Sequence, residues 1–188
     1  MSSLATRLGA VATADRPDLL AASVLDALAS MPPDVRSGVT VAEIDPELAD
    51  TAAFCLRYGV SLAESANCVV VAGRRGDVTT LAACVVLATT RADVNGLVRR
   101  HLDVRKISFA SMDVAVSASG MEYGGITPIG LPASWPLLID RAVVEAGDVV
   151  VGSGVRRSKI VVPGATLATL PNAVVLDGLG VSSAAPSD

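Results

Sequence analysis

The sequence has few aromatic residues and little positive charge. Aromatic side chains make up 3% of the 188 residues while apolar residues make up 51%, so the interior must consist mainly of Ala, Val and Leu. Such a chain offers few platforms on which nucleic-acid bases stack. The net charge of −4 argues against a protein that coats DNA or RNA, because coating requires a broad basic surface. The same charge does not exclude a protein that holds only the end of a nucleic-acid strand.

Cysteines and long apolar runs are also scarce. The three cysteines, Cys55, Cys68 and Cys84, are odd in number and widely spaced, which favours neither a disulfide framework nor a zinc site. We expect them to be buried as small apolar side chains in a reducing compartment. The longest strongly apolar run, 81–88, is far shorter than the ~20 residues that cross a bilayer. The apolar stretch after Arg7 is too short for a signal peptide, so we expect a cytoplasmic protein without membrane contact.

The length suits one domain with a short appendage. After Pro17, leucine and valine recur on one helical face, and the Met-Pro-Pro sequence at 31–33 ends that helix. We therefore predict a helical appendage and linker over 1–37, a main domain over 38–181 and a disordered tail over 182–188.

Strands and helices alternate unevenly along the main domain. Helices are predicted to begin at Asp45, at Asp93 and after Ser111, with Gly59 and Gly120 ending the first and the third. This pattern favours the α+β class, with a mixed, partly barrel-like β-sheet flanked by helices. The predicted strands are 39–44, 68–72, 78–87, 137–140, 148–151, 159–162 and 173–176.

The most unusual segment is 123–132, which reads Tyr-Gly-Gly-Ile-Thr-Pro-Ile-Gly-Leu-Pro. Glycine lets the main chain approach a ligand closely, while each proline fixes φ and removes an N–H donor. Such a loop serves a binding site or a demanding turn, and composition alone does not choose between them.

Five stretches of the chain occur in an order and at a spacing that are more specific than any one of them. Together they resemble the YbaK/prolyl-tRNA synthetase-associated family, whose members hydrolyse mischarged aminoacyl-tRNA either alone or as inserted editing domains. The likeness extends over about residues 39 to 180. The five stretches are 51–60, 64–71, 93–107, 124–128 and 152–154.

The resemblance implies an α+β fold in which the 124–128 loop borders a pocket for the aminoacyl group. It implies catalytic roles for Asn67 and Gly125, and it implies neither a metal nor a cofactor. Two basic groups lie beside these segments, and such charge runs are either tRNA contacts or solvated faces. The residues expected to bind substrate are Cys68, Gly124, Ile126, Thr127, Pro128, Gly152, Ser153 and Gly154. The residues expected to bind tRNA are Arg99, Arg100, Arg105 and Lys106, and the second basic group is Arg156, Arg157 and Lys159.

One position departs from the family pattern. The best-known members carry a lysine at the head of the active-site strand, where this chain has Asn67. Lysine supplies a mobile cation, whereas asparagine supplies a neutral amide with donors and an acceptor. Either the chain holds the tRNA terminus by hydrogen bonding, or it has lost the reaction.

Other candidate catalytic residues receive less support. Ser153 lies between two glycines and either donates to the substrate or forms an ordinary turn, and no Gly-x-Ser-x-Gly motif marks it as a nucleophile. His101 is the only histidine and favours a surface position over general-base catalysis. Glu122 and Tyr123 either shape the rim of the pocket or are solvated. Since no P-loop and no dinucleotide fingerprint are present, a nucleotide cofactor is not expected.

The resemblance therefore predicts an aminoacyl-tRNA deacylase that binds the 3′ end of a tRNA carrying a small amino acid, like Cys-tRNA(Pro) or Ala-tRNA(Pro). An aminoacyl-tRNA synthetase and a second copy of the chain are further candidate partners, and DNA is not one. The alternative is an inactive module of the same fold that binds tRNA or a small ligand. An unrelated small-molecule hydrolase would need a nucleophile–base pair, which the sequence does not show.

Overall fold

The computed structural model describes residues 3–182, and within them eleven strands form three sheets. The strands are β1 (Val11–Ala12), β2 (Thr40–Glu43), β3 (Ala66–Arg75), β4 (Val78–Leu87), β5 (Thr90–Ala92), β6 (Lys106–Phe109), β7 (Leu137–Asp140), β8 (Asp148–Gly152), β9 (Ser158–Pro163), β10 (Ala173–Leu176) and β11 (Gly180–Ser182). The first sheet has the order β1-β2-β9-β8, the second has the order β10-β7-β4-β3-β6, and the third pairs β11 with β5.

Short helices connect these strands. A π-helical turn, Val94–Val98, runs directly into the fifth α-helix. Among the described residues, no helix has both the length and the apolar character that crossing a membrane requires. The α-helices are α1 (Leu4–Leu8), α2 (Ala22–Ala29), α3 (Pro33–Ser37), α4 (Thr51–Tyr58), α5 (Arg99–His101), α6 (Met112–Ser119), α7 (Arg141–Glu145) and α8 (Gly164–Leu167). The 3-10 turns are Pro17–Leu19, Pro46–Leu48 and Leu62–Glu64.

The second sheet mixes strand directions. Strand β7 pairs in parallel with β4 and β10, whereas β3 pairs antiparallel with both β4 and β6. A parallel bridge between Ser65 and Val150 joins this sheet to the first one. The predicted α+β fold with a mixed sheet is confirmed.

The largest apolar cluster draws side chains from both large sheets and from the first part of the chain. Leu19, Val24 and Leu28 are buried in this cluster. Residues 3–37 thus supply part of the main core, and the segment predicted as a helical appendage packs against the rest of the domain. The predicted tail, 182–188, begins at the last residue of β11, and its remaining residues lie outside the described part of the chain.

The helix predicted to begin at Asp45 is divided in two. The Asp45 side chain accepts a hydrogen bond from the Glu47 N–H and caps only the 3-10 turn Pro46–Leu48. The Asp50 side chain then accepts from the Ala52 N–H and caps α4. The two capping aspartates lie five residues apart, and each starts its own element. Helix α4 therefore begins at Thr51, which lies at its N-terminal end.

The β3–β4 hairpin is longer than predicted, and strand β6 was not predicted. Pairing in the hairpin runs from Ala66 opposite Leu87 to Arg75 opposite Val78. Strand β6 is mostly exposed, so it lacks the alternation of buried and polar residues that marks a strand in sequence. It forms through backbone pairing with the second half of β3 and leaves the first half of β3 as an open edge.

Candidate active site

A cavity of about 560 Å³ lies along the open edge of β3 and is bounded by both large sheets. Its walls are the first half of β3, the second half of β8, the start of α4 and the turn from β6 into α6. Residues Gly124 and Ile126 of the glycine–proline loop close one side. The structure therefore brings the strand that carries Asn67 and the loop into one cavity.

Asn67 lies in the wall of this cavity and is half-buried. Its Oδ1 atom accepts a 2.7 Å hydrogen bond from the hydroxyl of Thr51, the first residue of α4. The bond orients the side-chain amide, since only the oxygen of that amide accepts hydrogen bonds. Within residues 3–182 the Nδ2 group makes no hydrogen bond, so the amide has two N–H donors for a ligand.

The glycine–proline loop approaches β8 closely because β8 ends in a glycine. A Cβ atom on Gly152 would lie 2.5 Å from the Ile126 carbonyl oxygen and still closer to that of Gly125. A 2.7 Å hydrogen bond from the Gly154 N–H to the Gly125 carbonyl fixes the approach. Gly125 is buried behind the loop, whereas Gly124 and Ile126 line the cavity. Neither of these two N–H groups is hydrogen-bonded in the described part of the chain, so both are available to a ligand.

Lys159 reaches the cavity from β9 and is only 8% exposed. Its Nζ atom donates to the carbonyl oxygens of Ala49 at 2.9 Å and of Gly124 at 3.4 Å. The same atom lies 5.7 Å from the centroid of the Phe54 ring, within range of a cation–π contact. Burial lowers the pKa of this ammonium group, and the neighbouring Arg156 guanidinium lowers it further. The cavity thus contains a buried cation that the sequence placed in a basic run.

Arg156 is a second cation in the wall of the cavity. Its backbone N–H donates to the Glu122 carboxylate at 2.6 Å, and its Nη1 atom donates to the Tyr123 carbonyl at 3.4 Å. Gly124 has φ of +82°, and a Cβ atom there would lie only 2.6 Å from Nη1. Glycine at this position therefore makes room for the guanidinium group and adopts a backbone conformation that other residues avoid.

Four of the residues predicted to bind substrate lie behind the cavity wall. Thr127 and Pro128 are buried in the next part of the loop. Ser153 is fully buried, and its hydroxyl forms a 2.7 Å hydrogen bond with the hydroxyl of Ser158. Gly154 packs against α2. These residues hold the β8–β9 connection and the loop in place, and none of the four lines the cavity.

Cys68 does line the cavity, as an apolar surface. Burial raises the pKa of its thiol far above the ordinary value, and burial also raises the pKa of Cys84 to about 12. A thiol of this kind stays protonated and is a poor nucleophile. His101 is exposed on α5 and does not line the cavity, so it does not pair with Cys68.

Aromatic side chains concentrate at the cavity although the chain has only five of them. Phe54 is buried in the wall, while Phe109 and Tyr123 line the cavity with 59% and 60% of their surface exposed. Exposed aromatic rings at the mouth of a cavity are suited to stacking on planar groups of a ligand.

Three of the basic residues predicted to bind tRNA line a second depression. Arg99, Arg105 and Lys106 border it, while the neighbouring Arg100 is exposed but does not. Lys106 and Phe109 are the two ends of β6, so their backbones lie about 10 Å apart.

Sequence reasoning missed several residues at this site. Lys159 lies in a basic run that usually indicates a solvated surface, although it also lies in a strand predicted to be apolar. Thr51 and Phe109 are distant in sequence from Asn67, and only the tertiary pairing of α4 and β6 with β3 brings them there. For Phe109, the scarcity of aromatic residues was the available signal, because a rare exposed ring needs an explanation.

A family whose description is aminoacyl-tRNA editing domain matches residues 45–170 of this chain. No curated protein matches the sequence. The matched range contains every residue that lines the cavity.

Several solved structures share the fold. One is of a protein proposed to be a trans-editing enzyme for prolyl-tRNA synthetase, with a TM-score of 0.68 and 18% identity over 84% of this chain and 97% of that one. Another, from work on grafting epitopes onto scaffold proteins by computational design, has a TM-score of 0.69 and 20% identity over 84% and 95%. A third, of a hypothetical protein, has a TM-score of 0.66 and 20% identity over 75% and 90%. At these identities the likeness establishes the fold alone.

Proposed function

The chain belongs to the aminoacyl-tRNA editing domain family, and from that premise we propose that it is a deacylase for mischarged tRNA. It hydrolyses the ester bond between a small amino acid and the 3′ end of a tRNA in the cytoplasm. Cys-tRNA(Pro) and Ala-tRNA(Pro) represent the proposed substrate class. The observation that carries the proposal is the meeting of Asn67 with the loop residues Gly124 and Ile126 around one cavity.

Free hydrogen-bond donors on two walls of the cavity suit an ester. They include the Nδ2 group of Asn67 and the backbone N–H groups of Gly124 and Ile126, which have no partners in the described chain. Donors that face a developing oxyanion lower the barrier to acyl transfer by roughly 3–4 kcal/mol. In this proposal the ester carbonyl lies among these donors and water attacks it.

Neither Cys68 nor Ser153 is placed to act as a nucleophile. The Cys68 thiol is held in its protonated form, and the Ser153 hydroxyl is buried in hydrogen bonds to its own loop. We therefore assign the activation of water to a hydroxyl of the terminal ribose or to the amino acid itself. The protein positions the ester and stabilises charge.

The exposed rings and the inner wall fit the two parts of such a substrate. Phe109 and Tyr123 are placed to stack on the terminal adenine, since stacking on aromatic side chains is the usual way of holding unpaired RNA bases. Val70, Ala115 and Ile126 form an apolar wall that suits a small side chain. Packing separates small side chains by only ~1–3 kcal/mol, so we expect alanine, cysteine and serine esters to overlap as substrates.

Deacylation of a panel of labelled aminoacyl-tRNAs tests the proposal. The panel contains Ala-, Cys- and Ser-tRNA(Pro) together with correctly charged Pro-tRNA(Pro). The unmodified protein is compared with Asn67→Ala, and Ser117→Ala, an exposed change on α6, is the control. We expect turnover of the mischarged substrates, a loss of at least ~10-fold in kcat/KM for Asn67→Ala and none for the control.

The second candidate function is a binding module that retains the cavity without the chemistry. The neutral amide of Asn67, in place of the lysine of the best-known relatives, is the observation that favours it. This candidate predicts that the protein binds aminoacyl-tRNA but turns over no member of the panel. That outcome would overturn the deacylase.

A further inference from the structure

Within residues 3–182, the charge of Lys159 has no counter-ion in direct contact. Its Nζ atom bonds only to the carbonyl oxygens of Ala49 and Gly124, and no carboxylate forms an ion pair with it among the described residues. The nearest acidic group that affects it is Asp50, whose carboxylate accepts the N–H of Ala52 and caps α4. A buried ammonium group without an ion pair is costly, so a fold retains one mainly for function.

Arg156 adds a second positive charge to the same end of the cavity. Its guanidinium forms no ion pair in the described part of the chain, because Glu122 accepts the backbone N–H of Arg156 instead of the side chain. The two cations are close enough for Arg156 to lower the pKa of Lys159. Both lie beside Gly124, which leaves room for the guanidinium and accepts a hydrogen bond from the ammonium.

The arrangement leaves capacity for an anion. An ammonium group has three donors, and two of those of Lys159 are used. The guanidinium has five donors, and its one hydrogen bond to the described residues is the long contact with the Tyr123 carbonyl. Two cations that repel one another around one cavity are relieved by a shared negative group.

We propose that Lys159 and Arg156 form an anion-binding subsite at the loop end of the cavity, which holds an anionic oxygen group of the substrate. The inference rests on the proposed function for the identity of that substrate. Two sources supply such a group in an aminoacyl-tRNA, namely the phosphate that precedes the terminal adenosine and the carboxylate of an acidic side chain. In either case Lys159 on β9 and Arg156 just before it supply the positive charge, while Asn67 on β3 supplies only neutral donors.

Binding of adenosine 5′-monophosphate and of adenosine tests the phosphate source without any catalysis. We expect the monophosphate to bind at least ~10-fold more tightly than adenosine, because charge-assisted hydrogen bonds to a phosphate are stronger than neutral ones. Lys159→Met removes this preference. The chain has only one other lysine, Lys106, which belongs to the proposed tRNA surface. The control is therefore Arg36→Met, which removes an exposed cation outside both depressions and should keep the preference.

A second pair of probes tests the carboxylate source. The probes are stable amide analogues of 3′-aspartyl- and 3′-alanyl-adenosine. A preference for the aspartyl analogue that Lys159→Met removes assigns the subsite to a side-chain carboxylate. Equal binding within both pairs of probes, or preferences that survive in Lys159→Met, would overturn the subsite. Deacylation is measured separately, so a Lys159-dependent preference without turnover retains the subsite and rejects only the deacylase.

One further measurement keeps the test valid if Lys159→Met unfolds, and a double variant extends the test if Lys159→Met folds. In the unmodified protein labelled with ¹³C and ¹⁵N in lysine, two side-chain signals are expected, and the monophosphate should shift that of Lys159 while adenosine should not. The double variant Lys159→Met/Asn67→Lys returns a cation to the same cavity from β3 and should recover part of the preference. An unshifted Lys159 signal in the presence of both anionic probes would contradict the proposal.

Discussion

At the scale of the residue, Asn67 depends on Thr51. The Thr51 hydroxyl donates to Oδ1 of Asn67 and so directs the two N–H groups of the amide away from itself. Without this bond the amide rotates freely, and the donors are no longer preorganised for the ester. A neutral hydrogen bond of this kind contributes about 1 kcal/mol.

We therefore predict that Thr51→Val lowers kcat/KM for the mischarged substrate by about 5- to 10-fold, with little effect on folding. In the Asn67→Ala background the same change should have no further effect, because Thr51 acts through the amide. Thr169→Val, which removes a hydroxyl from an exposed turn, is the control. Additive losses in the double variant would show that Thr51 has some other role.

The lowered pKa of Lys159 predicts how anion binding depends on pH. Burial and Arg156 lower the pKa of its ammonium below the ordinary value of 10.5, while Asp50 and Cys55 act in the opposite direction. Only the protonated form binds an anion, so the preference for the monophosphate over adenosine should weaken as pH rises through the lowered pKa. The side-chain signal of Lys159 should titrate with the same midpoint, below the ordinary lysine value of 10.5.

The contribution of Lys159 to stability changes with pH in the direction opposite to its binding of an anion. Between the lowered pKa and 10.5 the unfolded chain binds more protons than the folded one, so the contribution of Lys159 to the free energy of unfolding rises with pH. Below the lowered pKa the cost of burying the charge is present in full. Urea unfolding across this window should show the rise in the unmodified protein and lack it in Lys159→Met. Identical pH dependence in the two proteins would contradict a lowered pKa.

At the scale of the element, the position of the loop depends on Gly152. A side chain there would collide with the carbonyl oxygens of Gly125 and Ile126, which belong to backbone held by further hydrogen bonds. Because the backbone has little freedom to move, Gly152→Ala should displace the loop from β8.

We expect Gly152→Ala to lower the free energy of unfolding by about 1–3 kcal/mol, as overpacking usually does. It should also lower kcat/KM by more than 10-fold, because Gly124 and Ile126 move with the loop. Gly76→Ala at the tip of the β3–β4 hairpin is the control, since it too is destabilised, by a φ of +61°, but a Cβ there meets nothing. A Gly152→Ala protein that is less stable but fully active would show that the position of the loop does not determine activity.

The individual elements show which parts of the fold could be predicted from the sequence. Strand β7 and helix α6 were predicted with correct bounds. A short apolar run marks the strand, whose four residues are all buried, and Ser111 and Gly120 mark the ends of the helix. Strand β6 was missed because tertiary pairing forms it. The meeting of Asn67 with the loop is also tertiary, so only the family resemblance predicted it. The burial of Lys159 could not be predicted from the sequence, because it depends on other elements covering both faces of β9.

At the scale of the whole molecule, the acidic net charge and a tRNA partner are compatible because the basic residues are concentrated. Arg99, Arg105 and Lys106 border one depression, and along β6 the backbone of Lys106 lies about 10 Å from that of Phe109. None of the three forms an ion pair in the described part of the chain, in contrast with Arg75, which pairs with Asp103. A tRNA whose 3′ end enters the cavity would meet these unneutralised cations if it passes along β6.

Binding of tRNA as a function of salt measures this contribution. Each phosphate contact with single-stranded nucleic acid adds about 0.7 to the slope of log K against log salt concentration, so Arg99→Ala/Arg105→Ala should flatten the slope by about 1.4. Arg100→Ala, on the same helix but outside the depression, should change it less. An equal change in both proteins would assign the effect to the general field of the surface. An unchanged slope in the double variant would mean that these arginines are merely solvated and that the tRNA is held by the cavity alone.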